Sequence, residues 1–506
     1  GVQTCALPIS LTMQTPLAHK KPRRFDRNLI VIGAGSGGLV SAYIAAAVGA
    51  KVTLIEKAEM GGDCLNRGCV PSKALIRSAH IANEIAHAKK LGLLDASATV
   101  DFKAVMERVS EVIKEIEPHD SVARYRSLGV EVIKGEATIS SPWSVTVAEK
   151  TLTARNIIVA TGARPRIPKI EGIEQIAYLT SDNLWALREL PKRLLVIGTG
   201  AIGCELAQAF AHLGSQVTMV GRGERIMPRE DLDTSELMLK RFREDGIEVL
   251  LNQNTEQFIV EDNEKQILLS SRNDDNLSQN SPHKIAFDQV LIATGRIANS
   301  EGFGLEALGV EVGKRGRVEA NQYLQSHCPS IYLCGDVVGK YQFTHAASNH
   351  AWYATINSLF GFVKRFKLDE SILPFVTFTT PEVAQVGLNE SRAKAQNINY
   401  EMTQFPFSEL DRAITEDEKA GWIKVLTVPG KDKILGVTIV GAKAGELLQE
   451  YVIAMRHNLG LNKILGTIHP YPTFVEINQR VAGAWKRNHA PQWALQLAKK
   501  IHAWRR

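Results

Sequence analysis

The chain has only six cysteines in 506 residues, too few and too scattered for a disulfide scaffold. A reducing cytoplasm fits that usage, and any disulfide is expected to serve chemistry rather than stability. No uninterrupted apolar run reaches the roughly 18 residues a membrane helix needs, so stable membrane insertion is not expected. Charge of one sign is scarce as well: 60 Lys and Arg stand against 54 Asp and Glu. This excess reads as spread along the chain rather than gathered in a stripe, which excludes nucleic acid as the expected partner. Basic clusters at both ends, Lys20-Lys21-Pro22-Arg23-Arg24 and the closing AKKIHAWRR, read as solvated termini. The opening GVQTCALPIS has neither the charged nor the apolar region of a secretory signal. Residues 1–12 read as non-native, with Met13 the expected start, and residues 1–24 as a disordered leader.

What is present is an ordinary globular composition, 44% hydrophobic, long enough for about three domains. NLIVI from Asn28 is a short buried-strand run; a glycine turn, a helix of small residues and the strand KVTLIE follow. That is the front of a βαβ unit. RLLVIGTGAIGCELAQAFAHLGSQVTMV repeats it, and strand-to-glycine turns recur at Gly162 and Gly295. One nucleotide domain is therefore expected inside another. SSRNDDNLSQNSPHK has no apolar period and reads as a surface loop. From about Ile372 alternating strands and helices indicate a mixed α+β domain closed by a helical tail. The expected fold class is α/β, with two Rossmann-like nucleotide-binding domains and a C-terminal α+β domain.

Gly33, Gly35 and Gly38 form GxGxxG between strand and helix, where missing side chains let a pyrophosphate approach the positive helix end. Glu56 ends the second strand, where a carboxylate can accept from a ribose hydroxyl. Gly198, Gly200 and Gly203 repeat the pattern, but that strand ends Val220-Gly221-Arg222 with no acid. Arg222, helped by Arg225, suits a 2′-phosphate, which favours NADPH over NADH.

GGDCLNRGCVPSKAL, Gly61 to Leu75, carries Cys64 and Cys69 as C-x4-C ahead of a helix. Pro71 suits a first helical turn, so Cys69 falls near a helix N-terminus, where a thiolate is stabilised. A bare C-x4-C is also compatible with half a zinc site or a chance buried pair. No second Cys/His cluster completes a metal site, and no metal is expected. Cys204 and Cys334 lie within predicted secondary structure and read as core residues.

These residues resemble the pyridine nucleotide-disulfide oxidoreductases (class I), the family that includes lipoamide dehydrogenase, glutathione reductase and mercuric reductase. The resemblance runs from about Asp26 to Gly483 and rests on GGDCLNRGCVPSK, the two GxGxxG units, the two ATG turns and IYLCGDVVG. It implies an FAD-binding domain in two parts, 25–180 and 296–371. It also implies an NAD(P)-binding domain at 181–295, a dimerisation domain at 372–486 and a tail at 487–506. Asp336 is then expected on the ribityl chain of FAD, and Gly162 and Gly295 in the crossover segments. Cys69 is implied as the thiol facing the flavin and Cys64 as the interchange thiol of a redox disulfide. Lys73 falls where the lipoamide-dehydrogenase-like members keep a lysine near flavin N5, with Glu205 as its carboxylate partner.

In the disulfide-reducing members a histidine from the partner subunit, in an HPTxxE pattern, manages the interchange thiol's proton. Here the segment is IHPYPTFVEINQR. Counting five residues back from Glu476 gives Tyr471, whereas His469 lies seven back. Tyr471 is the expected occupant, and a phenol with an ordinary pKa near 10 is a poor base at neutral pH. Tyrosine here, and the Gly-Arg strand ending, resemble mercuric reductases. The C-terminal cysteine pair and N-terminal CxxC carrier domain of that relay are not seen in the sequence. The expected activity is electron transfer from NADPH through FAD and Cys64–Cys69 to a small-molecule acceptor: a small disulfide, a metal ion or another soft electrophile. A homodimer is expected. The alternatives are a dihydrolipoamide dehydrogenase using NADH, and a redox-responsive protein docking through its C-terminal helix. QWALQLAKKIHAW has amphipathic spacing and is expected to cap its own domain.

Overall fold

A computed structural model describes residues 19–272, 283–339 and 341–506. Most of the leader and most of the polar loop expected at 270–284 therefore lie outside the described residues. The chain divides into two compact units, each assembled from three stretches.

Among the described residues the first unit comprises 19–64, Glu117–Arg164 and Ile297–Leu368. Its sheet runs in the order Glu131–Lys134, Val52–Glu56, Arg27–Ile32, Lys150–Val159, Ser144–Val147, Thr138–Ser141, with Ile331–Leu333 also paired to Lys150–Val159. The pairs around Arg27–Ile32 are parallel. Strands covered on both faces read as continuous apolar runs, and Leu29, Ile30, Val31, Ile157, Ile158 and Val159 are all fully buried. Helix Ser36–Ala47 packs on helix Thr344–Phe360 through small residues. A Cβ at Gly37 would lie 2.7 Å from the Cys334 sulfur.

The second unit comprises Leu65–Ile116, Pro165–Arg296 and Asp369–Arg506. A parallel sheet runs Glu248–Leu250, Gln216–Val220, Arg193–Ile197, Gln289–Ile292. A three-stranded antiparallel sheet, Gln253–Glu261, Glu264–Ser271 and His283–Phe287, accompanies it. A five-stranded antiparallel sheet follows in the order Phe375–Thr377, Glu382–Gly387, Ile434–Gly441, Trp422–Thr427, Glu401–Pro406. Helices Ala444–Arg456 and Glu476–Asn488 pack against it and bury Leu448, Tyr451, Ile477 and Val481. The helices Cys69–His87 and Phe102–Ile116 belong to this unit and not with the rest of 25–180. Their Leu75 and Met106 share one apolar core with Phe210 and Met238.

The tail helix, Gln492–Trp504, does not cap its domain: none of its residues is buried. Among the described residues no helix is long and apolar enough to cross a membrane.

Candidate functional site

In the first fingerprint the three glycines do three different jobs. Gly33 has φ +100°, and a Cβ there would strike the carbonyl of Ala160 on the next strand. At Gly38 a Cβ would strike the carbonyl of Gly33, so that glycine sets the close approach of helix to strand. Gly35 alone looks onto space; its nearest neighbour would be the Gly62 backbone at 3.9 Å. Gly35 is the N-cap of Ser36–Ala47, with no side chain capping it and no acid in the first turn. Those first-turn N–H groups and the helix dipole suit an anion. Glu56 is buried, and its carboxylate accepts from the backbone N–H of Ala34 at 2.6 Å and Ala58 at 2.8 Å. Ionised oxygens accept more than one bond each, so ribose hydroxyls fit there too. Asp336 lies in the short turn Gly335–Val337 of the same unit, and a Cβ at Gly162, φ +69°, would meet nothing within 4 Å. These features fit a flavin dinucleotide.

The second fingerprint repeats the arrangement. Gly198, at φ +123°, backs onto the Ala293 carbonyl, and Gly203 onto that of Gly198; Gly200 has nothing within 4 Å. Helix Ala201–His212 again starts with no capping side chain and no first-turn acid. Register then separates the two sites. Ile32 pairs with Ile55 and Glu56 follows; Ile197 pairs with Val220 and Gly221 follows. Gly221 therefore holds the place of Glu56, and a Cβ there would meet Thr199 Cγ2 at 2.7 Å. No carboxylate reads a ribose from that position. Arg222 is exposed and Arg225 half-buried, its guanidinium donating to the Pro228 carbonyl at 3.3 Å. Sequence reasoning missed Arg272, which donates to the Arg222 carbonyl at 2.8 Å. It lies 50 residues downstream, so only the hairpin fold brings it there. Gly295, at φ +123°, accepts at its carbonyl from the Arg166 N–H at 2.9 Å.

Cys64 is half-buried in the short helix Gly62–Asn66, and Cys69 is exposed as the first residue of Cys69–His87. Pro71 sits in that first turn, as its missing N–H allows. Gly68 caps the helix with no side-chain bond, and no acid occupies the first turn. The helix dipole at that end favours a thiolate on Cys69. Cys204 and Cys334, by contrast, are fully buried, and loss of hydration pushes both thiols up to about 12.

One turn along the same helix, Lys73 pairs with Glu205 at 2.8 Å and lies 4.4 Å from the centre of the Phe378 ring. Glu205 is buried, and its other oxygen accepts from the Phe378 N–H at 2.8 Å. The expected partnership is thus formed, with Phe378 as a member the motif did not show.

The two candidates before Glu476 differ in exposure and partners. His469 is turned inward, its side chain 4% exposed, with Nε2 3.1 Å from Glu450 and Nδ1 2.9 Å from the Thr467 carbonyl. Tyr471 is 68% exposed, and its hydroxyl donates to Asp411 at 3.1 Å. That bond to a carboxylate holds the phenol above its usual pKa. Glu476 does not hold Tyr471 by a hydrogen bond. It is the buried first residue of its helix and turns along it to Arg480, 3.2 Å away. Its Oε2 has no hydrogen-bond partner among the described residues.

Comparisons with known proteins point the same way. Residues 27–351 match the family described as pyridine nucleotide-disulphide oxidoreductase, and residues 373–482 match that family's dimerisation domain. A mercuric reductase of Lysinibacillus sphaericus is 35% identical over 89% of this chain and 81% of its own length. A dihydrolipoyl dehydrogenase of Chlamydia muridarum is 35% identical over 88% of this chain and 94% of its own. Among solved structures, the HOCl-induced flavoprotein disulfide reductase RclA from Escherichia coli superposes with a TM-score of 0.79. It is 25% identical, over 90% of this chain and 99% of that one. The chain belongs to the pyridine nucleotide-disulfide oxidoreductases, FAD-dependent enzymes that use NAD(P)H and a disulfide redox centre.

Proposed function

We propose that this chain is an NADPH-dependent reductase that delivers electrons through a Cys64–Cys69 dithiol to a soft electrophile, working as a homodimer in the cytoplasm. The observation that carries the reading is Tyr471. An exposed phenol bonded to Asp411 takes the place where lipoamide- and glutathione-type chemistry needs a base, while His469 is engaged with Glu450. A mercuric reductase among the relatives and a Cu(II) complex of RclA support thiophilic metal ions as acceptors beside small disulfides.

Bound FAD supplies the conversion of a hydride from NADPH into an electron pair for sulfur; the fingerprint glycines, Glu56 and Asp336 would hold it. Two electrons and one proton open the Cys64–Cys69 bond to a thiolate and a thiol. The helix end stabilises the thiolate at Cys69, and Lys73 one turn further adds positive charge nearby. Cys64 gives up its proton to solvent and attacks one sulfur of a disulfide substrate, expelling the other as a thiolate that takes a proton back from water. Cys69 then displaces the bound half and restores the intramolecular bond. A thiophilic dication such as Hg(II) binds both sulfurs as thiolates and the remaining thiol proton passes to solvent; the electron pair of the dithiolate then takes the metal to M(0) as the Cys64–Cys69 bond re-forms, and no leaving thiolate has to be protonated.

Steady-state turnover with NADPH and NADH against lipoamide, small disulfides and Hg(II) tests the reading, with Tyr471→His beside wild type. NADPH should be preferred and lipoamide turnover poor, rising about 10²-fold in Tyr471→His as a general base is restored. Rapid NADH-linked lipoamide turnover by the wild type would overturn it in favour of a dihydrolipoamide dehydrogenase.

A further inference from the structure

The thirty residues after Glu476 contain seven Lys or Arg and no Asp or Glu, leaving 53 basic against 54 acidic residues in the rest of the chain. The positive excess is therefore concentrated here, and the expectation of an evenly spread charge is corrected. Within this segment helix Gln492–Trp504 has no buried residue. Trp493, Leu497, Ile501 and Trp504 recur at i, i+4, i+8 and i+11, within about 80° of one another around a helix of 3.6 residues per turn. Trp493 is 73% exposed and Trp504 86%. Ala494 and Ala498 are the partly covered residues of the helix, so the large apolar side chains are the ones left to solvent. Lys499, Lys500, Arg505 and Arg506 are all exposed.

An apolar stripe with tryptophan near both ends, on a segment whose only charged side chains are basic, has three conceivable occupants, and they are not equal. A second tail would bring two uniformly basic helices together, which like charge opposes. Nucleic acid would satisfy the charges and leave the stripe in water. An anionic bilayer satisfies both. The stripe enters the boundary between headgroups and acyl chains, Lys and Arg meet lipid phosphates, and indole rings favour that depth.

We propose that the tail helix lies flat on an anionic phospholipid surface and docks the enzyme there. The full chain should co-sediment with vesicles of equal phosphatidylcholine and phosphatidylglycerol, and not with phosphatidylcholine alone, with binding lost at high salt. Replacing both lysines in Lys499→Gln/Lys500→Gln should weaken binding on the order of 30-fold, from about 1 kcal/mol per basic residue. Trp493→Ser/Trp504→Ser should weaken binding at low salt with every basic residue in place, and NADPH oxidation should be unchanged in both variants. Equal affinity for neutral and anionic vesicles, or none for either, overturns the proposal. So does a change of mass by light scattering in the tryptophan variant with vesicle binding intact, which assigns the stripe to a second copy. Loss of duplex-DNA binding in the lysine variant with vesicle binding intact assigns the charge to nucleic acid and overturns it equally.

Discussion

Lys73 reaches Glu205 across 132 residues of sequence, 2.8 Å from nitrogen to oxygen, and the two ends of the pair are unequally buried. Glu205 is almost wholly enclosed while Lys73 keeps about a third of its side chain in solvent. Losing the lysine is therefore the worse change, because Lys73→Met leaves a buried carboxylate without its counter-charge. Glu205→Ala removes the buried charge, leaves the Phe378 N–H without its acceptor, and should cost roughly 1–3 kcal/mol in urea denaturation. Lys73→Met should cost more. Equal losses would show that burial of the acid does not govern the pair.

The fingerprint glycines predict opposite phenotypes three residues apart. Gly203→Ala drives a methyl into the Gly198 carbonyl and should lower stability by about 1–3 kcal/mol, read from the thermal midpoint. Gly200→Ala meets no atom within 4 Å, so its midpoint should stay at the wild-type value. Its KM for the pyridine nucleotide should rise, because the methyl occupies the space left for pyrophosphate.

At the far end of that nucleotide, Arg222 should carry most of the preference for NADPH. Removing a guanidinium from a phosphate loses roughly 1.5–3 kcal/mol, so Arg222→Ala should lower kcat/KM for NADPH about 10- to 100-fold and leave NADH nearly unchanged. Arg272→Ala should give a smaller loss of the same sign, since its observed bond braces the Arg222 backbone. Parallel losses with both nucleotides would place these arginines outside the 2′-phosphate site.

How much of this was legible in the sequence depends on how local each feature is. The cysteine segment and both GxGxxG turns are written in consecutive residues, and the α/β class followed from them. Counting favoured Tyr471 over His469, but the groups each one meets, Asp411 and Glu450, lie on other helices and carried no local signal. Arg272 carried no local signal at all. Gly221 was visible as a missing acid, yet only strand register shows it standing where Glu56 stands. The tail's apolar spacing was readable, but spacing does not say which face a domain covers. Here the domain covers neither tryptophan.

Glu230 supplies a pH dependence of stability with a definite sign. It is 5% exposed, Oε2 has no hydrogen-bond partner among the described residues, and loss of hydration raises its carboxyl from 4.5 to about 7 despite nearby Arg392. A folded-state pKa above the unfolded one means that the folded chain holds its proton longer. The contribution to stability is full below about pH 4.5 and is lost as pH rises through about 7. At 1.36 kcal/mol per unit the loss is bounded at about 3 kcal/mol. Glu230→Gln keeps the shape and removes the titration. Its thermal midpoint should match wild type at pH 5 and exceed it at pH 8, in protein whose NADPH turnover is otherwise intact. A gain of the same size at both pH values would locate the effect in packing, and a loss at pH 8 would mean that ionised Glu230 is stabilised by Arg392 after all.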